Sequence, residues 1–236
     1  MSNPYFQFKQ FTVWHDKCAM KVGTDGVLLG AWTSVETARR ILDIGTGTGL
    51  VALMIAQRSP EYSKIIALEI DTTAAAQAME NVLHSSWKDR IEVIQSDFMN
   101  YQSEEKFDVI VSNPPYFIDS LECPENRRNT ARHNNSLNYQ SLLTGVSELL
   151  SDNGIFTIVI PTDVCEQVKQ IAYENKLYAI RQLFVSTKPN TEPKRTLISF
   201  AFQEQKYQPE RLLIETSRHQ YSKEYINLTK EYYLKM

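Results

Sequence analysis

An asparagine, two prolines and an aromatic residue close an apolar run near the middle of the chain. The run FDVIVS is followed by Asn113, Pro114, Pro115 and Tyr116. Proline cannot donate to a sheet and its φ angle is fixed, so the chain leaves the strand with its carbonyl groups held in place. The side-chain oxygen of Asn113 and the carbonyl of Pro114 can each accept one N–H, while Tyr116 can stack on a planar base and Phe117 can extend that platform. These residues predict a rigid site for a planar amine, although taken alone a proline-ended turn is common.

A glycine-rich loop, DIGTGTGL, runs from a second apolar run into a helical pattern. Glycines at alternate positions let a ligand approach the backbone closely, so the loop predicts a nucleotide-like ligand. The dinucleotide fingerprint is G-x-G-x-x-G, whereas this chain has G-x-G-x-G with Asp43 two residues ahead. That spacing resembles the S-adenosylmethionine loop of class I methyltransferases, which implies that Asp43 lies near the sulfonium and the amino-acid part of the cofactor. Gly45, Thr46 and Gly47 join it as candidate cofactor residues, and a glycine-rich turn without a ligand is the alternative.

Two further carboxylates follow the next two strand-like runs. Glu69 ends the run KIIALE at about the 20-residue distance expected of a carboxylate that accepts hydrogen bonds from ribose hydroxyls. Asp71 competes for that role, but it precedes Thr72 and Thr73 at a helix start, where an N-cap is the plainer explanation. The resemblance implies that Asp97, after IEVIQS, meets the adenine amino group of the cofactor, and a turn aspartate is the alternative. Because the carboxyl ends of parallel strands share one edge, these carboxylates indicate one cofactor site.

The segment MKVGTDGVLLGAW lies upstream of the glycine loop. Capping of a short apolar helix would by itself explain Thr24 and Asp25. The resemblance implies that such a segment closes over the methionine end of the cofactor. It therefore adds Lys21, Gly23 and Asp25 to the candidate cofactor residues.

Alternating strand-like and helix-like segments position these residues. The strand-like runs are RRILDIG, KIIALEI, RIEVIQS, FDVIVSN, GIFTIVI, AIRQLFVS and TLISFAF, and apolar residues recur at helical spacing over 50–58, 73–86, 139–150 and 164–175. This alternation predicts an α/β fold with a doubly wound, seven-stranded, mostly parallel sheet, the Rossmann-like class I methyltransferase architecture. The polar loop 188–195 is too short for the crossover of a parallel pair, so the last strand should be antiparallel.

The length of 236 residues and the 42% hydrophobic fraction suit one sizeable core. We expect a single methyltransferase domain over 1–236. Within it, 1–35 would close over the cofactor and substrate, 36–205 would form the Rossmann-like core, and 206–236 would be a tail packed on that core. No run approaches the roughly 18 apolar residues of a membrane span, and the start MSNPYFQFKQF is unlike a signal peptide, so we expect a cytoplasmic protein.

Charge and cysteine content limit the classes of partner. A formal charge of −3 argues against a strong nucleic-acid binder, so local clusters of cations must carry any RNA contact. The 3 cysteines are scattered without the paired spacing of a zinc or redox site, which predicts reduced thiols and no metal. No obligate protein partner is inferred.

The chemistry expected at the asparagine and prolines is methyl transfer to nitrogen. The lone pair of an exocyclic amine is delocalised into its ring, and acceptors at Asn113 and Pro114 would draw the nitrogen toward tetrahedral geometry and stabilise the charge developing on it. Most of the rate would come from positioning, without a general base. With Pro115 and Tyr116 these form the candidate catalytic group. N-P-P-Y is similar to the signature of methyltransferases of planar amino groups, which leaves adenine in DNA or RNA, guanine N2 in ribosomal RNA and the glutamine amide of release factors open.

Five stretches carry a closer resemblance: KQFTVWHDKCAMKVGTDGVLLGAW, DIGTGTGL, NPPYF, ARHN and YLK. On these, and over nearly its whole length, the chain resembles the bacterial tRNA1(Val) adenine N6-methyltransferase family. The resemblance implies S-adenosylmethionine-dependent methylation of adenine N6 at position 37, in the anticodon loop of a valine tRNA. We expect no accessory domain of the kinds usual in the release-factor and DNA enzymes, because few residues precede the glycine loop or follow the last strand-like run. One departure is Asn134, where the family pattern has threonine, and it leaves the role of that loop open.

A polar loop after Tyr116 carries basic side chains that could reach phosphates flanking a flipped base. They are Arg127, Arg128, Arg132 and His133. A solvated loop without RNA contacts is the alternative. A second basic cluster is left out of the core site; it consists of Lys188, Lys194 and Arg195.

A non-catalytic reading also remains, in which a degenerate methyltransferase fold serves as a cofactor-sensing RNA-binding module. The intact set of Asp43, Glu69 and Asn113 argues against it. The enzyme is therefore the favoured hypothesis.

Overall fold

The computed structural model describes residues 3–18, 20–115 and 137–235. Its strands are β1 (Tyr5–Gln7), β2 (Thr12–Trp14), β3 (Arg40–Ile44), β4 (Lys64–Glu69), β5 (Ile91–Gln95), β6 (Phe107–Ser112), β7 (Leu150–Pro161), β8 (Tyr178–Ser186), β9 (Arg195–Ala201), β10 (Gln208–Leu213), β11 (Glu215–Ser217) and β12 (Gln220–Tyr221). Its helices are α1 (Thr24–Trp32), α2 (Leu50–Arg58), α3 (Thr72–Leu83), α4 (Tyr139–Leu149), α5 (Cys165–Glu174) and α6 (Lys223–Thr229). Short 3-10 turns cover Phe98–Asn100 and Thr162–Val164.

Among the described residues, an 8-stranded sheet runs in the order β10-β8-β9-β7-β6-β3-β4-β5. The five strands β5, β4, β3, β6 and β7, neighbours in that order, are all parallel to one another, and β10 is parallel to β8. Strand β9 is antiparallel to both β7 and β8. The predicted α/β class, the mostly parallel sheet and the antiparallel last strand of the predicted set are confirmed.

The strand count differs from the predicted seven, because β10 adds an eighth strand beside β8. It lies in the segment 206–236 that the sequence assigns to a tail. The sequence of β10, QPERLL, contains a proline and two charged residues and is mostly accessible to solvent. Proline is tolerated on an edge strand, and an exposed edge strand lacks the apolar run by which buried strands are recognised.

The sheet is covered on both faces, which explains why its strands read as continuous apolar runs. Ile41 and Leu42 are adjacent in β3, both are 0% exposed, and they belong to opposite hydrophobic clusters. Helices α1 and α2 pack on the face of Ile41, where α2 contributes Leu53. Helices α4 and α5 pack on the face of Leu42, where α4 contributes Leu142. The sheet is therefore doubly wound, as predicted.

Two glycines let α1 lie close against the first half of α2. A Cβ added at Gly30 would stand 2.7 Å from the Cβ of Met54, and one at Gly26 would stand 3.0 Å from a methyl group of Leu50. Non-bonded carbons normally approach to about 3.5–4.0 Å, so a larger residue at Gly30 would force the helices apart. This contact fixes α1 directly beside the glycine loop that precedes α2.

The segments at the two ends of the described chain pack against each other. Phe8 forms an antiparallel bridge with Tyr233, and the N–H of Lys9 donates to the carbonyl of Tyr232 over 2.8 Å. The hydroxyl of Tyr232 donates to the carbonyl of Met54 at 3.1 Å, and its side chain is 1% exposed. Both segments therefore complete the cluster around α1 and α2. No helix of the described ranges is long and apolar enough to cross a membrane.

Candidate functional site

A cavity of about 580 Å³ opens at the carboxyl edge of β3, β4, β5 and β6. Residues directly after each of these strands line it: Gly45, Ile70, Ser96 and Asn113. A smaller cavity of about 270 Å³ adjoins it. The two share several lining residues, namely Met20, Gly45, Gly47, Asn113 and Pro115. They form one groove along the edge at which open α/β sheets bind ligands.

The glycine loop turns from β3 into α2 through left-handed backbone positions. Gly45, Gly47 and Gly49 have φ angles of 70°, 57° and 81°. Residues with a Cβ are strained at such angles. A Cβ added at Gly45 or Gly47 would meet no atom within 4 Å, so these positions are open toward the groove. The loop can therefore present its backbone to a ligand without a side chain in between.

Glu69 ties the glycine loop to the loop after β4. Its Oε2 accepts the N–H of Gly47 at 2.8 Å, and its Oε1 accepts the N–H of Asp71 at 3.0 Å. The side chain is 9% exposed and lines the larger cavity. A carboxylate has about four lone-pair sites, so two backbone donors leave capacity for further donors from a ligand. Asp71 instead accepts the N–H of Ala74 at 2.8 Å and caps α3, as its place before a helix predicts.

Asp43 lies behind the glycine loop. Its side chain is 1% exposed and is absent from the lining of both cavities. The hydroxyl of Thr46 donates to its Oδ2 at 2.6 Å. Burial raises the pKa of the Asp43 carboxyl to about 7, the hydrogen bond from Thr46 opposes that rise, and the charge of Glu69 adds to it. Asp43 therefore shapes the groove indirectly, by holding Thr46 and with it the backbone of the glycine loop.

Asp97 combines a turn role with a place in the cavity wall. Its Oδ1 accepts the N–H of Met99 at 2.9 Å and caps the 3-10 turn Phe98–Asn100. The half-buried side chain also lines the larger cavity. Around it the wall is apolar, with contributions from Ile44, Leu68, Ile70 and Phe98. An apolar wall with one carboxylate at its edge suits a planar ring that carries an amino group.

Asn113 stands where the two cavities meet, because it lines both of them. The hydroxyl of Ser112 donates to the carbonyl of Ile44 at 3.0 Å and fixes the end of β6 against β3. A Cβ added at Gly26 would lie 3.8 Å from the Nδ2 of Asn113, so the backbone of α1 approaches the amide. Pro114 is buried and lines only the smaller cavity. The predicted residues Tyr116, Phe117, Arg127, Arg128, Arg132 and His133 lie outside the described residues.

Lys21, Gly23 and Asp25 all line the smaller cavity. Helix capping does not account for Asp25, because the N-cap is Gly23 and the cap has no side-chain hydrogen bond. The Oδ2 of Asp25 instead accepts the Nε–H of Arg195 at 3.0 Å. Arg195 lines the same cavity, although it belongs to the basic cluster that the sequence left out of the site. Nothing local marks this pairing, since the two residues are far apart in sequence.

Two buried amides of α3 hold the N-terminal segment over the larger cavity. The side chain of Asn81 accepts the N–H of Trp14 and donates to the carbonyls of Trp14 and Thr48, each at 2.9 Å. The Oε1 of Gln77 accepts the N–H of Lys17, also at 2.9 Å. Both amides are 1% exposed. Asn81 thus joins the N-terminal segment to the glycine loop, a link that helical spacing alone did not reveal.

Cys18 and its neighbours close one side of the larger cavity. Lys17, Cys18 and Met20 line it, and Met20 is 56% exposed. Burial raises the pKa of the Cys18 thiol to about 11, and the negative charges of Glu69 and Asp71 raise it further. The thiol is therefore neutral at physiological pH and serves as a small apolar wall. Within the described part of the chain, no group of three or more His, Cys, Asp or Glu side chains could hold a metal ion.

Comparison with known proteins shows which sequence family the chain resembles. The family described as "Methyltransferase small domain" matches residues 21–171. The chain is 67% identical over 234 residues to a Bacteroides thetaiotaomicron protein named tRNA1(Val) (adenine(37)-N6)-methyltransferase, covering 99% of each chain. It is 44% identical to the protein of the same name from Aeromonas hydrophila, again over 234 residues and 99% of each chain.

Solved structures share the fold at low identity. A predicted O-methyltransferase from Agrobacterium tumefaciens superposes with a TM-score of 0.68 at 17% identity, over 88% of this chain and 96% of the other. The ribosomal protein L11 methylase of Lactobacillus delbrueckii gives a TM-score of 0.58 at 14% identity, over 81% and 84%. These likenesses concern the architecture alone.

Proposed function

Because the chain belongs to the tRNA1(Val) (adenine(37)-N6)-methyltransferase family, we propose that it methylates N6 of adenine 37 in the anticodon loop of a valine tRNA. The methyl donor is S-adenosylmethionine. The observation that carries the proposal beyond family membership is the place of Asn113. Its amide stands where a cofactor-sized cavity meets a second cavity, beside a buried proline whose carbonyl is rigid.

The larger cavity suits the adenosine part of the cofactor. Glu69 would accept hydrogen bonds from the ribose hydroxyls, because its two backbone donors hold it in place and leave acceptor capacity. Asp97 would accept from the adenine amino group, with the ring against the apolar wall. Gly45 and Gly47 offer the open backbone that a close-fitting ligand needs.

The smaller cavity suits the methionine part and the target base. Lys21, Gly23 and Asp25 would surround the amino-acid group, and Asp25 is oriented by Arg195. Asp43 and Thr46 would act by shaping the loop between the two cavities. When bound, the cofactor supplies a methyl carbon on a sulfonium, which a nitrogen lone pair can displace.

The chain's own part in the reaction is to orient the target amine. The Oδ1 of Asn113 and the carbonyl of Pro114 would each accept one N–H of the amine, which leaves its lone pair directed at the methyl carbon and stabilises the positive charge that develops. The extra proton of the methylated amine then passes to water, so the site needs no general base. Pro115 keeps the acceptors rigid, and Tyr116 would stack on the target base.

The proposal also covers the residues that would contact RNA and the three segments of the domain. Phe117 and the basic residues after Tyr116 would contact the RNA; they are Arg127, Arg128, Arg132 and His133. The segments 1–35, 36–205 and 206–236 would act within one domain, in the cytoplasm and without an obligate protein partner. The alternatives are other planar amines, meaning guanine N2, DNA adenine or release-factor glutamine, and a non-catalytic cofactor-sensing module.

One experiment separates these possibilities. The protein is incubated with labelled S-adenosylmethionine and separate pools of tRNA, ribosomal RNA, DNA and release factor, and the product is mapped by mass spectrometry. We expect label on N6 of adenine 37 of valine tRNA. Label on guanine N2 or on glutamine, with tRNA unmodified, would overturn the substrate but keep the amine chemistry. Cofactor binding without any methylated product would favour the non-catalytic module.

A further inference from the structure

A third cavity, of about 490 Å³, lies beside the active-site groove and has four aromatic rings among its nine lining residues. We call it the tyrosine groove, after Tyr221, Tyr225 and Tyr233, which line it together with Phe6. One cation, Lys235, and one carboxylate, Glu215, complete its rim. None of these residues belongs to the cofactor or target site described above. Its volume falls within the roughly 300–1,000 Å³ of small-ligand sites.

The tyrosine groove shares an edge of the sheet with the candidate active site. Thr187 follows β8 and Ile214 follows β10, and both residues line the tyrosine groove. Because β9 is antiparallel to both β7 and β8, strands β7 and β8 run in the same direction, and β10 is parallel to β8. The carboxyl ends of β8 and β10 therefore face the same way as the end of β6, where Asn113 lies.

The two sites meet at the start of α1. Thr24 lines the tyrosine groove, while its neighbours Gly23 and Asp25 line the smaller cavity of the active site. The two cavities therefore adjoin at the start of α1. Four strand spacings of about 4.8 Å separate β6 from β10, so the end of β10 lies on the order of 20 Å across the sheet from Asn113 at the end of β6.

The rings of the groove are fixed before any ligand arrives. Tyr221 is 43% exposed and its ring centroid lies 5.2 Å from that of Tyr225. The hydroxyls of Tyr225 and Tyr233 lie 3.3 Å apart, and Tyr225 is 3% exposed. The ring of Tyr233 in turn packs against Phe6 at 5.8 Å. A supported and partly exposed ring loses little entropy when a planar group stacks on it.

The chemistry of the rim favours a nucleotide over an apolar ligand. Aromatic rings stack on any base, a lysine attracts a phosphate, and a carboxylate accepts N–H groups from a base edge. Lys235 and Glu215 place these charges at the rim of the same groove. Glu215 is partly exposed, and a base edge would offer it N–H donors that an apolar ligand lacks.

We propose that the tyrosine groove binds an unpaired base of the RNA loop that carries the target adenine, stacked on Tyr221, with a neighbouring phosphate near Lys235. The inference rests on the proposed function, because it assigns a second nucleotide of the same substrate. At this distance the bound nucleotide is a few positions from the target, so the groove reads the loop and not the methylated base. It offers a way for a chain of net charge −3 to hold RNA with stacking instead of many cations.

The test uses methylation kinetics on a valine tRNA anticodon hairpin and on the whole tRNA. Tyr221→Ala should raise the KM for RNA about tenfold, because stacking of one base is lost. The KM for S-adenosylmethionine should stay within about twofold, since the cofactor cavity is separate. Tyr221→Phe keeps the ring and should restore most of the RNA affinity. Lys235→Ala should reduce the salt dependence of RNA binding by about one phosphate contact.

Tyr62→Ala is the matched control. Tyr62 is 57% exposed and precedes β4, at the opposite edge of the sheet, so its loss should leave both KM values unchanged. Thermal unfolding of each variant shows whether Tyr221→Ala keeps the fold. If Tyr221→Ala unfolds, Tyr221→Leu, which keeps apolar bulk against Tyr225 without an aromatic ring, and Lys235→Ala carry the test.

Hairpins with one abasic nucleotide identify the bound base. One loop position should weaken binding to the natural protein and have no further effect on Tyr221→Ala. If the natural protein methylates the hairpin and Tyr221→Ala matches it on every RNA, the groove proposal fails and the proposed function stands. If the natural protein methylates no RNA, the proposed function fails. In that case, binding of the abasic series by Tyr221→Ala and the natural protein still decides the groove.

Discussion

The carboxyl edge of the sheet carries two sites that are built in different ways. The cofactor cavity takes most of its polar groups from positions at or just after the ends of strands in the large sheet, as with Glu69 and Asn113. The tyrosine groove joins Phe6, ahead of the sheet, to Tyr221 and Tyr233, which follow it. A site made of strand ends leaves motifs in the sequence, whereas a site made of distant segments leaves only scattered aromatic residues.

The largest expected loss of activity is at Asn113, which lines both cavities of the active site. Asn113→Ala should lower kcat by about 100- to 1000-fold, because one acceptor for the target amine is lost where charge develops. The affinity for S-adenosylmethionine should stay within about twofold, since Glu69 and the glycine loop are untouched. Asn153→Ala, an exposed amide at the start of β7, is the control. An equal loss of cofactor affinity in calorimetry would contradict the assigned role.

Glu69→Gln should weaken the cofactor by about 10- to 100-fold, because a neutral amide replaces charge-assisted acceptors and turns a donor toward a backbone N–H. The KM for RNA should be unchanged, which would separate the cofactor cavity from the tyrosine groove. Asp71→Ala serves as comparison and should cost mainly helix stability, on the order of 1 kcal/mol. If calorimetry shows a larger loss of cofactor affinity for Asp71→Ala than for Glu69→Gln, the assignment of the ribose ligand would be reversed.

Asn81→Ala tests the link between the N-terminal segment and the glycine loop. The change leaves the buried peptide groups of Trp14 and Thr48 without their partner, which should lower the free energy of unfolding by about 1–3 kcal/mol. Cofactor affinity should fall about tenfold, and hydrogen exchange should rise over residues 14–18, because this wall of the cavity loosens. Gln77→Ala removes a single bond and should show a smaller version of all three effects. Unchanged exchange in this segment would argue against the link.

Measured over a single pH unit, the smallest effect is the pH dependence that Asp43 contributes to stability. Its folded pKa of about 7 lies above the value of about 3.9 expected in the unfolded chain, so the folded state holds more protons between these values. Its contribution to stability is therefore greatest at low pH and declines as pH rises from about 4 to 7, by at most about 1.4 kcal/mol per pH unit. Asp43→Asn should remove this decline in denaturant titrations. A variant with the same slope as the natural protein would mean that Asp43 is ionised in the fold.

The sequence predicted the fold class because buried parallel strands are apolar on both faces and stand out as continuous runs. It missed β10, whose exposed edge position permits a proline and charged residues. The bounds of α2 were predicted to the residue, since its apolar residues sit between the glycine loop and a serine that ends the helix. Propensity and periodicity therefore predicted the elements whose own residues carry a clear apolar pattern, such as α2 and the buried strands.

For the site, the sequence predicted that the carboxylates Asp43, Glu69 and Asp97 would share an edge. Glu69 and Asp97 do line one cavity there, whereas Asp43 is buried behind the glycine loop and lines neither cavity. Their chemical roles remain predictions. Arg195 was placed outside the core site because its pairing with Asp25 depends on the tertiary fold. The same reason hid Asn81, whose helical position shows neither its burial nor its three backbone partners. Local patterns identify residues at strand ends but not the contacts between distant segments.

The reversed direction of β9 has a consequence for how this protein family can diversify. Because β9 begins at the edge where the other large strands end, its first residue, Arg195, lines the smaller active-site cavity. The hairpin over residues 187–194 joins it to Thr187, which lines the tyrosine groove. The ladder between β8 and β9 fixes only the strands, so this hairpin can change length and charge without disturbing the sheet. Evolution or engineering can therefore adjust substrate range through one exposed connection, while the inherited cofactor loops stay as they are.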